Sequence, residues 1–319
     1  YYKQHDISID ADDIIVTTGA SEALSFTLNV ICDAGDQIII PEPFYANYNG
    51  FAASSSLDVI PVASNFENKF ELPPVKDFEE KITDKTRAIL ICNPNNPTGY
   101  LYTIAEINSL VDLAVEKDIF IIVDEVYREF IYTDSKHYSI LQNKKANLHS
   151  IMIDSVSKRY SLCGARVGCM ISKNKKLMAT ALKFAHLRLS PPSLALMASE
   201  AAITAPKSYL ENVKKEYTIR RKVVIEALEK IKDVKVSIPM GAFYCIVKLP
   251  VNNAEDFSKF LLSDFQHDGQ TVMLAPAAGF YTSPGLGKDQ VRLAFVLESS
   301  KLKRAVEILE KALVAYNNL

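Results

Sequence analysis

Seven short apolar runs, separated by amphipathic stretches, fill the first two thirds of the chain. They are Ile14–Thr17, Gln37–Ile40, Asp58–Val62, Arg87–Cys92, Ile119–Asp124, Ser150–Asp154 and Gly168–Ser172. Each is short and rich in β-branched residues, the pattern of strands buried on both faces. One intervening stretch opens Thr103-Ile104-Ala105-Glu106, a capping box that starts a helix. Strands alternating with helices imply an α/β fold with a mostly parallel central sheet and helices on both faces. In such sheets ligands bind beyond the carboxyl ends of the strands, so the turns that follow the runs are where chemistry is expected.

The pattern changes after residue 205. Leu210, Val213, Tyr217, Val224, Leu228 and Ile231 form one apolar stripe, which predicts a long helix over Tyr209–Ile231. Strands are expected at Val234–Ile238, Ala242–Leu249 and Gln290–Val296, with a helix near Asp256–Phe265 and a last helix over Lys301–Ala315. The expected division is a large domain over 1–205 and a smaller α+β domain over 206–319, in line with about two domains for 319 residues. Lys and Arg number 36 against 38 Asp and Glu, a net charge of −2 that argues against nucleic acid as a partner. No apolar run approaches about 18 residues, so no membrane helix is expected. Five cysteines without a C-x-x-C point to free thiols and a reducing, cytoplasmic compartment. Nothing among the five histidines has the spacing of a metal site. The chain opens Tyr1-Tyr2-Lys3-Gln4, with neither an initiator Met nor a signal-peptide pattern.

Four strand ends carry polar motifs. In Ile89–Gly99, ILICNPNNPTG, two prolines and a glycine build a rigid turn that holds Asn96 at a fixed place. In Ile119–Tyr127, IFIIVDEVY, Asp124 ends a wholly apolar strand. There it either caps the next helix or faces a buried positive group. Ser155-Val156-Ser157-Lys158 follows the strand at Ile151–Ile153, and Arg166 comes eight residues after the lysine between Gly164 and Gly168. A lysine in a polar loop is usually a solvated charge, and S-x-x-K alone is a weak motif. Thr17-Thr18-Gly19-Ala20-Ser21 turns from a strand into a helix, whose free N–H groups attract phosphate. A phosphate seat, a fixed amide, a buried acid and a lysine with a nearby arginine together match the needs of pyridoxal 5′-phosphate. That cofactor takes a lysine for its Schiff base, an acid at its pyridine nitrogen, and N–H groups with an arginine at its phosphate.

The motifs GASEAL, PEPFYANY, NPNNPTG, VDEVY, SVSK-x7-R-x-G and VRLAF, in this order, resemble the class I/II aminotransferases. These belong to the aspartate aminotransferase superfamily of fold type I pyridoxal-phosphate enzymes. The resemblance spans essentially the whole chain. It implies that Lys158 bonds the cofactor and then moves the proton, while Asp124 pairs with the pyridine nitrogen. It places Tyr127 and Asn96 at the phenolic oxygen, and Tyr45 where the family stacks an aromatic ring. Gly19, Ala20, Ser21, Ser155 and Arg166 fall at the phosphate, and Arg292 at the substrate α-carboxylate. Arg188 falls in the stretch where aspartate-specific members place a partner-subunit arginine; as an isolated feature it reads equally well as a helix-end arginine. Two departures stand out: the resemblance leads one to expect a further N-terminal part that the sequence from Tyr1 onward does not include, and the chain has no Trp to stack on the ring. The implied activity is amino transfer between an amino acid, aspartate being a candidate, and a 2-oxo acid such as 2-oxoglutarate, in a homodimer. A C–S β-lyase of the same fold and a non-catalytic cofactor-sensing domain are the alternatives.

Overall fold

The structure is a computed structural model and describes all 319 residues. Its first sheet has seven strands: β1 (Ile14–Thr17), β2 (Gln37–Glu42), β3 (Asp58–Ala63), β4 (Thr86–Cys92), β5 (Phe120–Asp124), β6 (Ser150–Ser155) and β7 (Gly168–Ile171). Their spatial order is β1-β7-β6-β5-β4-β2-β3. The neighbours from β3 to β6 pair in parallel, and β7 pairs antiparallel with both β6 and β1. The expected mostly parallel sheet is present, and every predicted strand lies within two residues of its observed ends.

Alternation along the strands explains why both faces are covered. Ile38, Ile40, Leu90, Cys92, Ile122, Ile151 and Ile153 enter one apolar core, with α1 (Gly19–Ile31) packed on it through Ala23, Leu24 and Leu28. Beside α1 and against β3, α2 (Asn47–Ser54) adds Tyr48 and Ala52 to that core. The intervening residues Ile39, Ile89, Ile91, Ile121, Val123 and Met152 enter a second core. It is covered by α3 (Val75–Glu79), through Phe78, and α4 (Ile104–Glu116), through Ile107, Leu110, Val111 and Ala114. Side chains two apart on a strand share a face, so near-continuous apolar runs supply two interfaces at once. The expected capping box starts α4: Thr103 Oγ1 accepts from Glu106 N at 3.2 Å, and Glu106 Oε2 accepts from Thr103 N at 2.7 Å.

Four further helices follow: α5 (Val156–Arg159), α6 (Lys175–Arg188), α7 (Ser193–Ile203) and α8 (Lys207–Leu228). They lead to a four-stranded antiparallel sheet. Its strands are β8 (Lys235–Val236), β9 (Tyr244–Lys248), β10 (Ala275–Pro276) and β11 (Gln290–Ala294), in the order β10-β11-β9-β8. Two helices, α9 (Ala254–Ser263) and α10 (Ser299–Asn317), complete the chain. Two expectations are corrected here, and one strand is added. The long helix ends at Leu228, although Ile231 is still buried. The strand expected from Ala242 begins at Tyr244, because Ala242 has φ +55° and its N–H is taken by Phe130 O across the interface with the first sheet. The two-residue β10 was not expected at all, being too short to leave a periodic signal. Residues 205 and 206 fall in the turn between α7 and α8, yet the first core runs on past them, joining Val224, Cys245, Val247 and Phe257 to Ile122 and Ile153.

Candidate active site

Three strand ends converge on the first face of the large sheet. Cys92 and Asp124 are register partners at the ends of β4 and β5, and Ser155 ends β6. Asp124 is buried, and its carboxylate has two donors: Tyr48 Oη at 2.8 Å and Val126 N at 3.3 Å. Burial pushes its pKa up to about 6, against the opposing pull of the Tyr48 and Val126 hydrogen bonds and of Lys158.

Ser155 caps the single turn α5, accepting from Ser157 N at 3.0 Å and donating to Val167 O at 2.9 Å. That turn brings Lys158 to the cavity, its Nζ 6.0 Å from the centre of the Tyr127 ring. Tyr127 Oη lies 3.3 Å from Tyr244 Oη.

Gly19 opens α1 with φ +80°, and a Cβ there would stand 2.3 Å from Arg166 Nη2. The absence of a side chain is therefore what lets the guanidinium reach the helix N-terminus. Arg166 itself sits at φ +55°, a backbone region rare for arginine, and donates Nη1 to Cys163 O at 3.0 Å. Gly168 permits a second close approach, since a Cβ there would stand 2.6 Å from Ala20 N.

The small sheet closes the site. Arg292 on β11 donates Nη1 to Asn96 Oδ1 at 3.0 Å. Its guanidinium carbon lies 4.6 Å from the Tyr244 ring centre and 4.8 Å from that of Phe280, so two aromatic faces hold it. Tyr45 stands edge-on to Tyr48 at 5.5 Å.

These groups enclose one cavity of about 330 Å³. Ala20, Ser21, Tyr45, Asn96, Asp124, Tyr127, Ser155, Lys158, Arg166 and Arg292, all singled out from the sequence, line it. Gly19 stands behind Arg166. Arg188 is not in the cavity of its own chain. At the end of α6 it pairs with Glu22 at 3.0 Å and donates to Val16 O at 2.9 Å and Leu189 O at 2.6 Å. The lining residues that escaped the sequence reading include two tyrosines, Tyr48 and Tyr244. Tyr48 left no local signal of its role, because that role comes from Asp124, 76 residues away. Tyr244 had none beyond being an aromatic residue in an apolar strand.

The sequence pattern of the family Aminotransferase class I and II matches residues 1–309. The chain belongs to this family. It is therefore a pyridoxal-phosphate-dependent transferase. An aspartate aminotransferase of Pyrococcus horikoshii is 31% identical over 318 residues, which are 98% of this chain and 78% of that protein. Among solved structures, an aspartate aminotransferase of Thermotoga maritima superposes with a TM-score of 0.88 at 30% identity, covering 98% of this chain and 79% of the other. An aromatic aminotransferase of Pyrococcus horikoshii also gives 0.88, at 28% identity, covering 98% and 83%. None of the aminotransferase's helices is long and apolar enough to cross a membrane.

Proposed function

We propose that this aminotransferase holds pyridoxal 5′-phosphate in the cavity and moves an amino group from an amino acid, aspartate among its donors, to a 2-oxo acid such as 2-oxoglutarate. One observation carries the reading: a buried carboxyl (Asp124), an amine (Lys158) and a guanidinium at a helix N-terminus (Arg166) open into the same cavity. The lining carries three cationic side chains, Lys158, Arg166 and Arg292, against the carboxyl of Asp124. That balance suits a phosphate dianion together with a substrate carboxylate.

In this reading Asp124 would hold the pyridine nitrogen and favour its protonated form, while Tyr48 Oη holds the carboxylate in place. Ala20 and Ser21 offer N–H groups that the first turn of α1 leaves without helical partners, and they meet the phosphate with Ser155 and Arg166. Asn96 and Tyr127 would donate to the phenolic oxygen, and Tyr45 would cover the ring. When bound, pyridoxal phosphate supplies an electron sink for the pair released at the substrate α-carbon. Lys158 would supply the amine that holds the cofactor and the base that carries the proton from the substrate α-carbon. Arg292 takes the α-carboxylate; the Tyr244 and Phe280 rings leave the guanidinium edge as its binding face. The aspartate assignment is supported by the names of the relatives at about 30% identity.

We also propose a homodimer. The exposed Leu187, Leu189, Leu194 and Met197, at the end of α6 and the start of α7, give apolar surface of the kind that a second copy covers. Light scattering should return twice the chain mass; a monomer at micromolar concentration would contradict this.

The test of the main reading is spectroscopic. Added pyridoxal phosphate should turn the protein yellow, the colour should shift with aspartate, and borohydride should fix the cofactor on Lys158. Lys158→Ala should abolish the fixed adduct and lower transamination by several orders of magnitude. A chain that stays colourless with added cofactor refutes the proposal. A donor panel in which aspartate is no better than alanine refutes the substrate.

A further inference from the structure

Lys158 rides on a helix of four residues, too short to be stable by itself. Much of what holds it lies on the opposite face of the sheet. Ile153 and Ser155 of β6 face the cavity side, so Asp154 points the other way, where its side chain is 1% exposed. Arg159, the residue after Lys158, meets it there with Nη2 2.9 Å from Oδ1 and 2.7 Å from Oδ2, and its Nε lies 3.2 Å from Glu129 Oε1. The start of the chain closes over the pair. Tyr2 Oη donates to Asp154 Oδ2 at 2.6 Å, the Tyr1 ring lies 4.0 Å from the Arg159 guanidinium carbon, and the Tyr1 hydroxyl bonds Glu129. Glu129 in turn lies two residues past Tyr127, so this hidden cluster ties together the chain neighbours of two cavity residues. Although burial opposes ionisation of Asp154, Arg159 and Arg128 hold its carboxyl below the usual range, so the pair is charged at neutral pH.

A buried ion pair is a weak source of stability, because desolvation offsets the attraction. What it does well is fix geometry, and the forked guanidinium fixes it in two directions. Consecutive Cα atoms lie 3.8 Å apart, so any displacement of Arg159 is passed on to Lys158. We propose that Asp154 and Arg159 are positioning residues for Lys158, and that Tyr2 keeps their pairing dry. The inference rests on the reading of Lys158 as the cofactor-binding amine.

The experiment uses the full chain with added pyridoxal phosphate and two variants, Arg159→Lys and Tyr2→Phe. The first keeps the charge and loses the fork; the second removes one hydroxyl and leaves both charges paired. Three quantities are read: borohydride attachment at Lys158, the induced circular dichroism of the bound cofactor band, and kcat against KM. Both variants should still attach the cofactor at Lys158 and should show an altered dichroic band. For Arg159→Lys, kcat should fall by up to about 100-fold with KM close to wild type, the signature of a misplaced reacting group, and for Tyr2→Phe by less. A lowered thermal midpoint with an unchanged band and unchanged kcat means a purely structural pair and overturns the proposal. If Arg159→Lys does not fold, the band and kcat of Tyr2→Phe decide alone. A wild-type chain with no adduct at Lys158 overturns the cofactor reading itself, and the inference with it.

Discussion

Replacing Tyr48 with Phe removes one oxygen from the interior and nothing else, and its consequence can be worked from the geometry around Asp124. The hydroxyl donates to Asp124 Oδ2 at 2.8 Å, in a site where the carboxyl titrates at about 6. A hydrogen bond to a charged acceptor is worth roughly 1.5–3 kcal/mol and one to a neutral acceptor roughly 0.5–1.5, so losing it penalises the ionised form by about 1–2 kcal/mol more. That difference raises the Asp124 midpoint by about one unit, to about 7. The sign for folding follows. A carboxyl whose pKa is raised on folding contributes stability that is fully present below its unfolded value near 3.9 and is lost as pH rises through the folded value. In the ligand-free wild type this loss is complete above about 6. In the variant it continues to about 7. Urea denaturation of the ligand-free chain should therefore show Tyr48→Phe about 1 kcal/mol less stable than wild type at pH 5 and about 2–3 kcal/mol less stable at pH 8. With cofactor bound, the acid limb of the transamination profile should move toward higher pH in the same variant. An equal destabilisation at both pH values would mean that the hydroxyl does not distinguish the two forms of Asp124, and the argument would fail.

Three more variants probe other parts of the site. Gly19→Ala puts a methyl group 2.3 Å from Arg166 Nη2; titrating ligand-free protein with pyridoxal phosphate should show affinity reduced about tenfold or more, since the methyl displaces the guanidinium from the helix N-terminus and a hydrogen bond to a charged group is worth about 1.5–3 kcal/mol. Unaltered affinity would detach Arg166 from the phosphate. Arg292→Lys keeps the charge but loses the fork between Tyr244 and Phe280, so kcat/KM for amino acids should drop roughly 30- to 100-fold, mostly through KM. A drop confined to kcat would place Arg292 elsewhere in the reaction. His137 is buried, and desolvation holds its pKa down at about 3, so its stabilisation is present above about 6.5 and is lost as pH falls toward 3. Between pH 7 and pH 5 the wild type should lose about 2 kcal/mol relative to His137→Gln, measured by urea denaturation; parallel pH curves would contradict a neutral, buried imidazole.

What could be read from the residues and what could not divides along a physical line. Ile38 to Ile40, Ile89 to Ile91 and Ile121 to Val123 announce their strands because both faces of each strand are buried, which is a local requirement written in consecutive positions. The same locality exposes Asn96, Asp124, Lys158 and Arg166, each polar at a strand end or in the turn that follows one, where the fold class itself says to look. Tyr48 escapes because its role comes from Asp124, 76 residues away, and a tyrosine in an apolar helix face looks the same whether or not a carboxylate lies beneath it. Arg188 shows a second such case: its contact with Glu22 within the chain is made only through folding and leaves no mark at its sequence position. The Asp154–Arg159 pair belongs to the first kind in one half and to the second in the other. Its members flank the Ser155–Lys158 motif in sequence, while the tyrosines that seal it arrive from the far end of the domain. A loop lysine is ambiguous in the sequence because one charge among solvent-exposed neighbours costs nothing; on a turn whose next residue is tied to the back of the sheet by a buried ion pair, it would gain the fixed position that the proposed proton carrier requires.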